Sequence, residues 1–198
     1  MGAFILGTVG FLLYFVYDVN SITWKNSVLQ RFFVVGSACV AISAIWALWE
    51  SLSGGTAHPA VCAVFGAGSI GFLGLLIYTL FFALPFEETY LEKNQKRMAY
   101  TGGVYCLCRH PGVLWFAGAY LCFWGMTGNL SRGIYFISMI LWDCLYIVLQ
   151  DVWIFPATFT NYDAYKRSTP FLVPDRKSMK TFLKWNAERK RRQKVKKI

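Results

Sequence analysis

The sequence predicts an all-α protein: a polytopic membrane helix bundle of about five transmembrane helices, completed by a cytoplasmic C-terminal helix and a basic tail. Three observations predict it. The 198 residues are 56% hydrophobic and 18% aromatic, with 15% charged, and a water-soluble domain of this size has no interior large enough to hide so much apolar surface. Five separate segments approach the ~20 apolar residues that cross a bilayer. The charge is also uneven: residues 175–198 hold 11 of the 20 Lys and Arg, opposed only by Asp175 and Glu188. The body before them is almost neutral, with nine basic against eight acidic residues.

The five segments are 2–18, 30–49, 60–84, 112–128 and 133–153. The first has no basic residue ahead of it and no small-residue cleavage site behind it, so it reads as a retained helix and not as a signal peptide. The chain divides into N-terminal transmembrane helices (1–59), a membrane core (60–174) and the basic tail (175–198). Loop charges set an orientation. Lys25 and Arg31 mark the first loop, and Lys93, Lys96, Arg97 and Arg109 the third. The second, Ser51 to Pro59, has no Lys or Arg, and the fourth has only Arg132. Loops one and three and the tail are therefore expected inside, with the N-terminus outside and the C-terminus cytoplasmic.

A net charge of +10 confined to a juxtamembrane tail points to anionic lipid as its partner, and no nucleic acid is expected. Met179, Phe182, Leu183 and Trp185 interrupt the basic residues there, as in an interfacial amphipathic helix. Oligomeric state is open. The six cysteines lie mostly in apolar runs without a CxxC pair, so neither disulfides nor a structural metal are expected. Gly66 to Gly71 fits GxGxxG, but no strand precedes it. Ala63, Ala67, Gly71 and Gly74 are expected to serve close helix packing instead.

Chemistry is expected at the inner ends of the last two spans. His58 lies in the short outer loop and reads as incidental. Arg109 and His110 precede Pro111, a residue suited to the first turn of a helix, whose positive end favours an anionic group. An interfacial anchor, with Arg snorkelling to headgroups, is the alternative. On the fifth segment, Asp143, Ile147, Gln150 and Asp151 share roughly one helical face. Ionisable groups inside a span are expensive and mark cavities or partners. Asp143 alone reads as a protonated packing contact, Gln150 and Asp151 as part of a site.

The stretch Gly103-Val104-Tyr105-Cys106-Leu107-Cys108-Arg109-His110-Pro111 resembles the G-x-Y-x-x-x-R-H-P signature of isoprenylcysteine carboxyl methyltransferases and of related phospholipid methyltransferase-like membrane methyltransferases. In that family a helical hairpin, a Glu-Glu pair, Y-x-x-Y and P-x-L-I-P follow. Here the hairpin is followed by Gln150-Asp151, then Tyr162-Asp163-Ala164-Tyr165, then Pro170-Phe171-Leu172-Val173-Pro174. The match runs in register over residues 103–174. It departs where the family often continues R-H-P-x-Y-x-G, since Gly112, Val113, Leu114 and Trp115 stand there, and where Gln150 and the shorter Asp151 replace two glutamates.

The resemblance implies an S-adenosylmethionine-dependent methyltransferase acting on a lipophilic or small acceptor: a prenylcysteine-like carboxylate, a phospholipid or a thiol. It implies Gly103, Tyr105, Arg109, His110, Pro111, Gln150, Asp151, Tyr162 and Tyr165 as the cofactor-binding set, with Arg109 and Asp151 as catalytic residues. Two rivals stand beside it. Membrane sterol and enone reductases carry a similar Arg-His-Pro element and use NADPH, although their N-Y-x-G-E continuation is missing. A degenerate, non-catalytic scaffold is the other, favoured by Gln150.

Overall fold

The computed structural model describes residues 1–54, 58–83 and 97–195, and every regular element among them is helical. Lys93 and Lys96 of the third loop, residues 55–57 of the second and residues 196–198 of the tail lie outside the described residues. Helix α1 is Gly2–Ile22. Beyond it the chain turns through Lys25, at φ 54°. The buried Asn20 side chain bonds both the N–H and the carbonyl of Asn26 at 2.9 Å. Asn26 in turn caps the short helix α2, Ser27–Gln30, by accepting from the Val28 N–H at 2.8 Å. Helix α3 is Phe32–Leu52.

Pro111 and Pro59 each occupy the first turn of a helix, where a missing N–H costs nothing. Helix α4, Pro59–Ile77, runs on into a π-helical turn at Tyr78–Phe82. Helix α5 is Pro111–Thr127 and stops at Gly128, whose φ of 58° is the left-handed conformation of a helix-ending glycine. Asn129 caps the 3-10 turn Leu130–Arg132 that leads into helix α6, Gly133–Leu149. This is the hairpin expected between the fourth and fifth segments. Helix α6 continues through a π-helical turn, Gln150–Ile154, into the single turn α7, Phe155–Thr158. Helix α8 is Tyr162–Ser168 and α9 is Arg176–Val195.

Among the described residues, four helical stretches are long and apolar enough to cross a membrane: Gly2–Ile22, Ser27–Leu52, Pro59–Phe82 and Leu130–Thr158. The fifth expected segment is helical too, but α5 has 17 residues, about 25 Å at 1.5 Å per residue, against a hydrocarbon core of ~30 Å. Its Pro at one end and Gly at the other set that length.

Helix α1 packs on α3 and α6, α5 packs on α4, α6 and α3, and α4 lies at the edge. The core joins Phe11 of α1, Val40 and Ala44 of α3, Tyr120 of α5, and Phe136 and Met139 of α6. Phe11 stacks on Trp142 and meets Phe116 edge-on, while Tyr14 stacks on Tyr146. The backbones of α1 and α3 approach closely at a pair of glycines. A methyl group at Gly10 would lie 2.9 Å from the Gly36 carbonyl oxygen, and one at Gly36 would lie 2.8 Å from that of Gly10. The small residues of α4 divide: a methyl group at Gly68 would lie 3.0 Å from Cys122 Sγ of α5, so that position faces the packed helix. Gly71 and Gly74 face open space, and it is Gly118 and Gly125 of α5 that accept the rings of Phe72 and Phe65. Close packing here is an aromatic side chain set into a glycine notch, which the spacing of small residues on α4 does not reveal.

Candidate functional site

Three chain segments converge where α5 begins and α6 ends. The first is the stretch leading into α5. Gly103, at φ 59°, starts a 3-10 turn, Gly103–Cys106, in a backbone conformation that other residues avoid. Tyr105 donates its hydroxyl to the Thr79 carbonyl at 3.1 Å, in the π-turn that ends α4. The Thr79 hydroxyl in turn accepts from Trp115 Nε1 at 3.0 Å. Arg109 and His110 then sit immediately before Pro111.

The second segment is the end of α6. Pro156 has no N–H for a helical bond, and the helix widens into a π-turn ahead of it. Asp151 and Ile154 of that turn are buried. The third segment is α8 and the extended stretch after it. Asn161 fixes its start by bonding the Ala99 N–H at 2.7 Å and the Ala99 carbonyl at 3.0 Å. Tyr162 and Tyr165 then face inward and are buried.

Asp151 is the point where the segments meet. Its Oδ1 accepts from Arg109 Nε at 2.7 Å and its Oδ2 from the same guanidinium at 3.0 Å, a bidentate pair. Oδ1 also accepts from the Tyr162 hydroxyl at 2.6 Å and from His110 Nε2 at 3.2 Å. The Lys166 ammonium lies 3.2 Å from Oδ2 and donates to the Asp151 carbonyl at 3.1 Å. The Arg109 guanidinium also donates to the carbonyls of Thr169, at 2.7 Å, and Lys166, at 3.2 Å, while the Arg109 N–H donates to Pro170 O at 2.9 Å. The Arg109 and Asp151 side chains are only 9% and 7% exposed, so this is a buried ion pair, and the guanidinium donates four hydrogen bonds within the cluster.

The electrostatics follow. Burial pulls the Arg109 guanidinium down, but bonds to Asp151 and its charge outweigh this and hold it above its ordinary value. Burial lowers the His110 imidazole against the pull of Asp151, with Arg109 and Lys166 adding to the lowering, so the ring is neutral near pH 7 and carries its proton on Nε2. Tyr162 is raised by burial and by the carboxylate it bonds. Tyr165 is raised by burial, and its hydroxyl donates to the Tyr105 carbonyl at 2.8 Å. Cys108 is pushed up to about 11 by burial and stays a thiol. His110 stacks on Phe155 at 5.7 Å between ring centroids and meets Phe171 edge-on at 5.2 Å.

Of the residues singled out from the sequence, Gly103, Tyr105, Arg109, His110, Pro111, Asp151, Tyr162 and Tyr165 therefore belong to one end of the bundle. Gln150 turns away. Its Nε2 donates to Asp18 Oδ2 of α1 at 2.8 Å, because successive helical residues point about 100° apart. The single polar face expected from Asp143 through Asp151 is thus divided: Ile147 is buried, Gln150 serves α1, and Asp151 serves the cluster. Sequence reading missed Lys166, Asp18, Phe155 and Phe171. Lys166 was within reach, one turn beyond Tyr162 on the same helix. Asp18 carries no local signal of its partner 132 residues away.

No family model, curated protein or solved structure matches the chain.

Proposed function

We propose that this protein is a membrane-embedded methyltransferase that uses S-adenosylmethionine to methylate a lipophilic acceptor, a prenylcysteine-like carboxylate, a phospholipid or a thiol. The observation that carries the reading is the meeting of Arg109, His110, Asp151 and Tyr162 in one buried cluster, since these are the positions at which three separated motifs resemble that family. The reading takes α5 as a fifth, short span and places the cluster on the cytoplasmic side, with the N-terminus outside. Reporter fusions at residue 198 active only as cytoplasmic fusions support this orientation, and external activity there overturns it.

The residues suit the cofactor in two respects. Lys166 is 32% exposed, and among the described residues two of its three N–H donors are directed at Asp151; the third would take a methionyl carboxylate. Phe155 and Phe171 pack on the buried His110 ring but are themselves only half-buried, and their remaining aromatic surface would suit an adenine ring or a sulfonium. When bound, the cofactor supplies a methyl group on cationic sulfur, open to in-line attack. Asp151, with both oxygens occupied, acts as a positioning residue that fixes Arg109, His110 and Tyr162 relative to one another. Neutral His110 keeps charge off the apolar wall. Tyr165 ties α8 to the turn before α5 and closes the cluster from the tail side. Such a site works by orientation and exclusion of water and needs no strong base when the acceptor is a carboxylate or thiolate.

One observation favours the reductase as the second reading: two formal cations, Arg109 and Lys166, share one carboxylate, and the excess positive charge also suits a cofactor phosphate. Transfer of labelled methyl from S-adenosylmethionine into solvent-extractable membrane lipid by purified protein in nanodiscs supports the methyltransferase. Oxidation of NADPH by an enone substrate, with no methyl transfer, overturns it.

A further inference from the structure

Helix α9 begins at a reciprocal cap. The Asp175 carboxylate accepts from the Ser178 N–H at 2.6 Å and the Asp175 N–H donates to Ser178 Oγ at 3.0 Å, which fixes the start of the helix immediately after Pro174. Its faces differ. Ser178, Phe182 and Trp185 turn toward the bundle and are buried or half-buried, and the helix touches the Gly103–Cys106 turn. A methyl group at Gly102 would lie 2.9 Å from Trp185 Nε1, and one at Gly103 would lie 3.7 Å from the same ring. The indole thus lies across the glycine pair that opens the candidate site. The Arg189 guanidinium lies over the same indole, 5.3 Å from the ring centroid.

A second edge has no partner among the described residues. Met179 and Leu183, one turn apart, are 53% and 64% exposed. By the helical period, Arg176, Lys180, Lys184 and Arg191 lie beside that edge, all exposed. An apolar edge flanked by cations is complementary to an anionic lipid surface, in which the apolar groups enter the acyl boundary and the cations meet phosphates. A nucleic acid would satisfy the cations but offers nothing to Met179 and Leu183. The helix is also held against the Gly103–Cys106 turn, a few residues before α5 begins at Pro111, which keeps a bilayer surface within reach.

We infer that α9 binds an anionic lipid surface through the Met179–Leu183 edge and its flanking cations, and that this docking clamps the Gly102–Cys106 turn through Trp185. The inference does not depend on the cofactor or the reaction. It makes the order of the turn that leads to Arg109 and His110 a function of the lipid composition around the protein.

The test is amide hydrogen exchange of the full chain in nanodiscs of phosphatidylcholine alone and of phosphatidylcholine with about 30% phosphatidylserine. In the anionic discs, exchange across 176–192 is expected to slow by roughly tenfold or more, since several cations meet the surface together. The segment 101–106 should slow with it, and both effects should fade at high salt. K180E/K184E/R191E should lose the protection of both segments. W185A should keep protection of 176–192 and lose that of 101–106. Equal exchange in the two lipids overturns the lipid surface, as does protection by an RNA oligonucleotide in neutral discs without any effect of phosphatidylserine. Retention of 101–106 protection in W185A overturns the clamp.

Discussion

Replacing Asp151 with alanine removes the carboxylate that Arg109, His110, Tyr162 and Lys166 share. The loss can be sized from burial. Arg109 is 9% exposed and, among the described residues, keeps carbonyl and aromatic partners but no other carboxylate, so it becomes a buried cation without a counter-charge. Lys166, 32% exposed, recovers solvation and adds little. Breaking one partner out of a buried pair costs about 3–5 kcal/mol, which for a chain of this size corresponds to roughly 6–20 °C in the unfolding temperature. Asp151→Glu keeps the charge but forces an extra methylene between three packed segments and should cost less, about 1–3 kcal/mol. Cys108 and Cys106 are buried within the same region, so thermal unfolding in detergent followed by a thiol-reactive fluorophore reads the loss directly. A D151A protein that melts within about 1 °C of the wild type refutes the claim that this carboxylate organises the site.

Three further outcomes follow from the same geometry. His110 is held below its ordinary value of 6.5 by burial, so the folded state resists its proton: the site carries no penalty above that value and loses stability as pH falls through it. H110Q should flatten this slope between pH 7 and pH 5 in the same melting assay, and an unchanged slope counts against a buried neutral imidazole. Gly10→Ala should destabilise by about 1–3 kcal/mol because its methyl meets the Gly36 carbonyl, whereas Gly71→Ala, which meets nothing within 4 Å, should change the melting temperature by no more than about 2 °C. Gln150→Glu would set a second carboxylate at the 2.8 Å contact with Asp18 and should cost about 1–3 kcal/mol, with D18N restoring the loss. Equal loss in single and double variants would show that Gln150 is not matched to Asp18.

The helical stretches were legible because apolar length and polar interruption are local properties. Each expected segment lies within a few residues of an observed helix, and Pro59, Pro111 and Gly128 mark ends that the sequence displays openly. The hairpin that brings Asp151 to Arg109 was legible for the same reason, since a short turn between two long helices leaves them antiparallel. Less legible were contacts that depend on which way neighbouring residues point. Gln150 and Asp151 are adjacent in sequence but serve different helices, and the π-turn around them follows from Pro156 further along the chain. Gly71 and Gly74 of α4 misled in a related way. A run of small residues records permission for close approach, and the partner helix decides where the approach occurs.

The most direct measurement is a titration of the purified protein in nanodiscs with S-adenosylmethionine, its demethylated product and NADPH. Saturable binding of the first two is expected, weakened 100-fold or more, about 2.7 kcal/mol, in D151A and H110A variants that remain inserted and folded. His58→Ala, in the short loop far from the cluster in sequence, should bind as the wild type does. Wild-type protein that binds NADPH alone, or none of the three ligands, contradicts the methyltransferase.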